Sequence, residues 1–320
     1  MGAYGPQEPK PFGFVPLPTH VDRRRPAGHD RFMRELLSGS ITGELVAQTP
    51  IHVGSGGIEL TNDSRIPLVK AHFRTAGKVA IPGSSLKGAI RSIVEAITYS
   101  CVRVQSRRAR EALPQDFRPC EAKAKEAKDK EAELCIACRL FGAMGYQGQV
   151  RLADAVLVSG RVGTILTPSL YPPRTDARLY YEKGQVRGRK FYFHGQVAKG
   201  NVPIEVCEVQ SRFRLSLEFL NLEQGELGIL LTALGCGSAP FDLKLGGAKP
   251  ICTGSMKVQL RSVDIVSGRL RATQFESSAS AQNLNQCLEA AKGFTAGTSL
   301  EKLMEIWTKD PTRVCPSRVY

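Results

Sequence analysis

The stretch VPIEVCEVQSRFRLSLEFLNL, residues 202–222, has the clearest β-strand pattern in the sequence. Its later apolar residues alternate strictly with polar ones: Phe213, Leu215, Leu217 and Phe219. This period of two is typical of a strand with one buried face. The next segment, GELGILLTALG at 225–235, is predicted to be a helix, and SMKVQLRSVDIVSG at 255–268 a further strand. The second half of the chain therefore reads as strand, helix, strand.

The first half has the same order of elements. SITGELVAQTPIHV, residues 40–53, has a broken apolar alternation that predicts a strand interrupted at Thr49-Pro50. In residues 81–97 apolar side chains recur at helical spacing, and Ser84 or Ser85 is expected to cap that helix. QVRLADAVLVSG, residues 149–160, has a strand's composition. The sequence thus predicts an α+β fold with a modified ferredoxin-like core, βαββαβ, the arrangement of the RNA recognition motif, whose open sheet or adjoining loops contact RNA.

The rest of the chain is divided around this core. We expect a basic N-terminal arm at 1–39 with one short helix, the core at 40–268, a polar connection at 54–78, insertions at about 102–147 and 161–202, and a C-terminal helical extension at 269–320. The extension contains two short helical patterns, near residues 284–291 and 300–307.

Composition limits the class of protein and of partner. The 320 residues include 44 Lys plus Arg against 30 Asp plus Glu, a formal net charge of +14. With 42% hydrophobic residues the chain can build a core, which excludes a disordered or collagen-like protein. The positive charge favours a polyanionic partner, either nucleic acid or an acidic membrane surface. No long apolar stretch and no leader pattern is visible, so we expect a cytoplasmic protein.

Four of the nine cysteines are clustered in the sequence. Cys135 and Cys138 form a C-x-x-C knuckle, which places two thiolates on one turn and suits tetrahedral zinc. Cys120 is the natural third ligand, and Cys101 is the expected fourth. Because no H-x-E motif lies nearby, the predicted zinc is structural. Four reduced, buried thiols are the alternative.

Three further segments have residues suited to RNA. The start of the helix at residue 81 combines backbone N–H groups with serines and cations, which suits a phosphate, although an ordinary capped helix is the alternative. A glycine-rich segment at 235–257 carries Lys244, Lys249 and Lys257; a flexible hairpin would look the same. RGRKFYFH, residues 187–194, interleaves cations with aromatic rings, a pattern suited to base stacking or to an exposed strand. Asp63, in TNDSRIPLVK, would by itself be read as a turn residue.

Taken together, several motifs resemble the repeat-associated mysterious protein (RAMP) superfamily, in that family's order. They are TPIHVGSG (49–56), IPGSSLKGAIR (81–91), CIACRLFG (135–142), GQVRLADA (148–155) and GGAKPICTGSMKV (246–258). These proteins are RNA-binding subunits of type III CRISPR effector complexes, which act in antiviral defence. FGFVPLP at 12–18 and RGRKFYFH are similar to the subfamily of type III-D and related single-chain effectors.

The resemblance implies a backbone subunit that lines up with other effector subunits along a CRISPR RNA. It implies a zinc-knuckle insertion, a thumb at residues 161–202, and cleavage of guide-paired target RNA by Asp63. Cleavage would need a divalent metal, magnesium or manganese, and would proceed by attack of the ribose 2′-hydroxyl on the adjacent phosphate. The RNA-binding residues on this reading are His52, Arg65, Lys70, Ser84, Ser85, Lys87, Arg91, Arg187, Arg189, Lys190 and Lys249.

Three alternatives stay open at this point. A member of the same family can be a scaffold without catalysis. A guide-processing endoribonuclease would need a histidine general base, for which His52, His72 and His194 are the candidates. The third alternative is a zinc-containing nucleic-acid binder with no CRISPR role.

Overall fold

The computed structural model describes residues 10–103, 107–122, 133–170, 178–237, 240–271, 281–310 and 312–317. The strands are β1 (Phe12–Val15), β2 (Arg23–Arg24), β3 (Leu37–Ala47), β4 (Gly54–Leu60), β5 (Leu68–His72), β6 (Arg74–Thr75), β7 (Lys78–Ile81), β8 (Leu134–Cys135), β9 (Val150–Leu152), β10 (Ala155–Ser159), β11 (Val162–Thr167), β12 (Tyr181–Glu182), β13 (Gln185–Val186), β14 (Arg189–Tyr192), β15 (Val202–Cys207), β16 (Arg212–Leu222), β17 (Leu243–Lys244) and β18 (Ser255–Ser267). The helices are α1 (Gly83–Ile97), α2 (Arg107–Glu111), α3 (Ile136–Phe141), α4 (Gln224–Ala233), α5 (Gly268–Arg271), α6 (Ala281–Ala291) and α7 (Ser299–Trp307). Among the described residues, no helix has the length and apolar character needed to cross a membrane.

The central sheet confirms the predicted ferredoxin-like topology. Its strand order is β17-β18-β3-β16-β10-β7-β6, and β9 pairs with β16 beside β10. The inner strands β18, β3, β16 and β10 are each antiparallel to their neighbours and correspond to the fourth, first, third and second strands of the predicted core. Each predicted core helix follows its predicted strand, since α1 lies between β3 and β9, and α4 lies between β16 and β18.

The two faces of this sheet differ as the alternation predicts. Along β16 the apolar side chains are buried in the main hydrophobic core, together with residues of α1 and α4: Phe213, Leu215, Leu217 and Phe219. The residues between them are polar and half-buried or exposed. On that polar face Glu44 of β3 forms ion pairs with Arg212 and Arg261 of the two neighbouring strands. The second face therefore carries paired charges at this position.

Three expectations need correction. The stretch 202–222 is two strands, because the chain turns at 208–211 and β15 joins a second, four-stranded sheet of order β11-β15-β5-β4. The polar connection at 54–78 contains β4, β5 and β6. Residues 10–36 of the basic arm contain β1 and β2 and no helix; β1 pairs with β14, and β2 pairs with β8.

The insertions are only partly described. Residues 123–132, which make up most of the loop between Cys120 and Cys135, lie outside the described residues, as do 171–177 of the expected thumb. The described part of 161–202 contributes β11 to the second sheet and β14 to the ribbon with β1. The two C-terminal helical patterns correspond to α6, which packs on α4, and α7, which packs on β1 and α1.

Candidate RNA-binding surface and metal centre

The start of α1 is held by a residue from a distant strand pair. The N–H of Gly83 donates to Oδ1 of Asp154 over 2.8 Å, and neither serine caps the helix, contrary to the sequence expectation. A Cβ atom at Gly83 would lie 2.4 Å from the carbonyl oxygen of Leu152, so only glycine allows this close approach. The first turn of α1 is thus fixed against the β9–β10 connection.

With α1 held in this position, polar groups remain exposed around its first turn. Ser84 and Ser85 are exposed on the first turn, and Lys87 is half-buried one turn later. Burial lowers the pKa of Lys87, and the positive charges of Arg91 and Arg151 lower it further. Arg151 is exposed on β9. It lies in the motif GQVRLADA, but it was not among the RNA-binding residues predicted from sequence. Two cations therefore lie near a helix N-terminus, where the helix dipole also favours an anion.

His52 connects the glycine-rich segment to the second sheet. Its carbonyl oxygen accepts the N–H of Gly247 over 2.7 Å, and its ring Nδ1 lies 2.6 Å from the carbonyl oxygen of Glu205. Gly246 has φ +79°, and a Cβ there would lie 2.3 Å from the His52 carbonyl oxygen. Burial lowers the pKa of His52, which favours the neutral ring. His52 thus acts by position and packing in this structure, and Lys70, on β5 of the same sheet, is exposed.

The aromatic segment and the glycine-rich segment meet. The ammonium of Lys190 lies 4.8, 5.2 and 4.7 Å from the ring centroids of Phe12, Tyr180 and Tyr192, and it donates to the Tyr192 hydroxyl over 3.0 Å. Burial, together with the positive charge of Lys249, lowers the pKa of Lys190 to about 8. The structure thus brings Lys190 and Lys249 together. Phe191 is buried against Trp307, and the guanidinium of Arg313 lies 4.4 Å from the centroid of the Phe193 ring. The rings of this segment are therefore engaged by other parts of the protein.

Asp63 lies in the exposed loop between β4 and β5. Its Oδ1 accepts the backbone N–H of Arg65 over 2.9 Å and lies 3.4 Å from the Arg65 Nε. The Thr61 hydroxyl braces the loop by accepting the Asp63 N–H over 3.2 Å. The side chain of Arg65 is 89% exposed and that of Asp63 46% exposed. A carboxylate and a guanidinium are therefore presented together to solvent.

The three histidines considered as a general base are all buried. His52, His72 and His194 are 8%, 1% and 3% exposed. Burial, helped by the positive charge of Lys244, lowers the pKa of His194 to about 3. A general base must approach the proton that it removes. The observed positions therefore give no support to a histidine-dependent processing nuclease.

The four predicted zinc ligands converge. The sulfur atoms of Cys101, Cys120, Cys135 and Cys138 all lie within 4.8 Å of one another, and all four residues are buried. In a tetrahedral zinc–thiolate site with bonds of about 2.3 Å the sulfurs are about 3.8 Å apart. Cys101 Sγ lies 3.5 Å from the sulfurs of both Cys135 and Cys138. The donor set fits a closed structural zinc site.

Two of the predicted RNA-binding arginines lie beside this cluster. Arg91 is 8% exposed and bonds to Glu95 and to the Cys138 sulfur. Arg189 also forms an ion pair with Glu95, and its Nε is buried without a hydrogen-bond partner. Arg187 is exposed, with its guanidinium 5.1 Å from the centroid of the Phe14 ring. The predicted residues thus range from exposed, such as Arg187, to half-buried, such as Lys190, and buried, such as Arg91.

A disulfide joins Cys252 of the glycine-rich segment to Cys315 near the C-terminus, 63 residues apart. Sequence reasoning gave these two cysteines no role. The other described cysteines are free thiols.

Comparison with known proteins identifies the family. The profile of the RAMP superfamily matches residues 44–255, from the last residues of β3 to the first residue of β18, and this range includes the cysteine cluster. No curated protein matches the chain significantly. The family match covers about two thirds of the chain and agrees with the topology and with the motifs that were recognised in sequence. The chain belongs to the RAMP superfamily, whose members are CRISPR-associated RNA-binding proteins.

Proposed function

We propose that this chain is a CRISPR RNA-binding backbone subunit of a type III, III-D-like, effector complex and that it also cuts guide-paired target RNA. The observation that carries the proposal is the family match over the core that presents the exposed cations. Sequence specificity resides in base pairing between guide and target, and the protein holds the guide through its phosphates. Other subunits of the effector complex are its protein partners.

The guide backbone contacts three exposed or half-buried places. The first is the start of α1, where Ser84, Ser85 and Lys87 can donate to phosphate oxygens. The second is the glycine-rich segment with Lys249, and the third is Lys70 on β5. Main-chain hydrogen bonds connect the start of α1 with the region of Lys70. The N–H of Phe73, just after β5, donates to the Val53 carbonyl over 2.6 Å. The N–H of Ala80, shortly before α1 begins, donates to the Phe73 carbonyl over 3.1 Å.

In the proposed cleavage Asp63 is the general base. Its carboxylate takes the proton of the target's 2′-hydroxyl, the 2′-oxygen forms a bond to the adjacent phosphorus, and the bond from phosphorus to the 5′-oxygen breaks. The products are a 2′,3′-cyclic phosphate and a 5′-hydroxyl, whose proton comes from water. Arg65, the exposed neighbour of Asp63, stabilises the charge that develops on the phosphorane.

The residues around Asp63 do not form a ready-made site for a divalent metal. Among the described residues, the one group of three or more metal-ligating side chains is the cysteine cluster, and Asp63 does not belong to it. Magnesium commonly combines one or two carboxylates with substrate phosphates. Asp63 alone could hold magnesium or manganese only together with substrate phosphates. No step is assigned to either metal here, and zinc at the four cysteines is kept as a structural metal.

Sequencing the RNA that the chain carries tests the guide-binding role. The chain is expressed with its genomic neighbours and a CRISPR array, and the co-purified RNA is sequenced. We expect RNAs of uniform length with repeat-derived ends, and loss of this RNA in a Ser84→Ala, Ser85→Ala, Lys87→Ala variant. Lys302→Ala on α7 is the matched control, since that lysine is ion-paired with Glu305 outside the proposed contacts. Random host fragments released by modest salt would overturn the proposal.

A further inference from the structure

Arg91 lies in the protein interior beside the cysteine cluster, where its positive charge needs a negative partner. Arg91 uses its guanidinium on three sides: Nε donates to Glu95 Oε1 over 2.7 Å, Nη1 to the Gly142 carbonyl over 2.7 Å, and Nη2 to Cys138 Sγ over 3.3 Å. Its side chain is 9% exposed. With these donors engaged inside the protein, Arg91 has little capacity left for an RNA phosphate.

A second arginine approaches the cluster from the opposite element. Arg23 lies on β2, directly paired with Cys135 of β8, and its Nη2 donates to the Asp116 carbonyl over 2.6 Å. A side-chain hydrogen bond also links its guanidinium to Cys120. The sulfurs thus have a guanidinium on two sides.

Thiolates on a metal would give the guanidinium groups that reach this cluster a negative partner. Four thiolates around Zn²⁺ carry a net charge of about −2. A buried charge of that size is costly unless it is paired. Arg23 and Arg91 both reach the sulfurs, and Glu95 is shared between Arg91 and Arg189. Four neutral thiols would give the guanidinium groups of Arg23 and Arg91 no negative partner at the cluster.

We propose that Arg91 and Arg23 are positioning residues of the zinc centre, which neutralise its thiolates and set its affinity for the metal. The inference rests on the structural zinc proposed above and replaces an RNA-binding role for Arg91. Glu95 accepts a hydrogen bond from Arg91 Nε and also pairs with Arg189, so it links Arg91 to β14. Partners of this kind, one shell outside the ligands, commonly change metal affinity by about 10- to 100-fold when they are removed.

The test measures metal affinity in the full-length protein. The metal-free wild type, Arg91→Gln and Arg139→Gln are titrated with Zn²⁺ in competition with a chromophoric chelator, and separately with Co²⁺ to record the sulfur-to-cobalt charge-transfer band. Arg139 is the matched control because it is also buried, at 4% exposure, and lies on α3 next to Cys138, but its Nε pairs with Glu226 over 2.7 Å. We expect Arg91→Gln to bind Zn²⁺ about 10- to 100-fold more weakly than wild type, and Arg139→Gln to stay within about twofold of wild type.

The outcomes separate the possible failures. Equal losses in both variants, or none in Arg91→Gln, would overturn the assignment of Arg91. A wild type that purifies without zinc and gives no charge-transfer band with Co²⁺ would overturn the zinc centre itself. If Arg91→Gln does not fold, Arg23→Gln carries the test, since Arg23 is only half-buried and lies on a short two-stranded ribbon; unchanged affinity there overturns the inference.

Discussion

Asp63 has both properties that a loop carboxylate needs to act on a bound strand. It is exposed, and its backbone is held in place by Thr61 and by the turn to Arg65. The same geometry would also suit an ordinary turn residue, since an aspartate that accepts the N–H two residues later is a common turn device. Only a substitution that keeps the turn and removes the basicity separates these two roles.

Asp63→Asn makes that separation. The amide oxygen still accepts the Arg65 N–H, but the side chain can no longer take a proton from a 2′-hydroxyl. We expect target cleavage at this subunit's site to fall by at least about 100-fold, the usual contribution of a general base. Guide binding should be unchanged. Single-turnover cleavage of a labelled target by the assembled complex measures this, with Asn62→Ala in the same loop as control. Undiminished cutting in Asp63→Asn would leave the chain as a scaffold.

At the scale of elements, α1 connects the predicted phosphate site at its start to the cysteine cluster beyond its end. Its orientation is fixed by Gly83 at one end, and Cys101 follows its C-cap, Thr98, by three residues. A side chain at Gly83 would collide with backbone atoms of Leu152 and Ala153. Gly88, on the same helix, is exposed, and a Cβ added there would meet no atom within 4 Å. A side chain is therefore excluded at Gly83 and accommodated at Gly88.

Alanine substitutions at these two glycines should change stability in opposite directions. Gly83→Ala should lower the free energy of unfolding by about 1–3 kcal/mol, because a backbone neighbour must move. It should also weaken RNA binding, since the serines and Lys87 shift with the helix. Gly88→Ala should raise stability by about 0.5–1 kcal/mol through helix propensity. Urea unfolding and an RNA-binding titration measure both variants, and a loss of stability in both would contradict this account of α1.

The same elements show how far the sequence could predict this molecule. The period of β16 and the spacing of α1 are local properties, and both identified the buried side chains correctly. The C-x-x-C knuckle is also a local pattern, and it identified the cysteine cluster. The N-terminal contact of α1 was missed because Asp154 comes from 71 residues away. β4 was missed because all seven of its residues are exposed, so it has no burial pattern.

On the scale of the whole molecule, the cysteine cluster brings together residues from three separate parts of the chain. Cys101 follows α1, Cys120 precedes the segment outside the described residues, and Cys135 and Cys138 flank the start of α3. The sheet of β3, β16 and β18 has its own extended antiparallel pairing and does not depend on these sulfurs. A metal bound only by the folded state adds its binding free energy to stability.

Removal of zinc should therefore loosen one region of the molecule and leave the rest folded. At free zinc about 1,000 times the dissociation constant, the metal contributes about 4 kcal/mol. We expect a zinc chelator to increase hydrogen exchange in the last turns of α1 and at residues 133–142, with little change in β3, β16 and β18. Cys138→Ser should reproduce this pattern, whereas Cys236→Ser, a cysteine outside the cluster, should not. A uniform increase across the sheet would mean that the metal supports the entire fold, and no increase near α1 would mean that the thiols hold no metal.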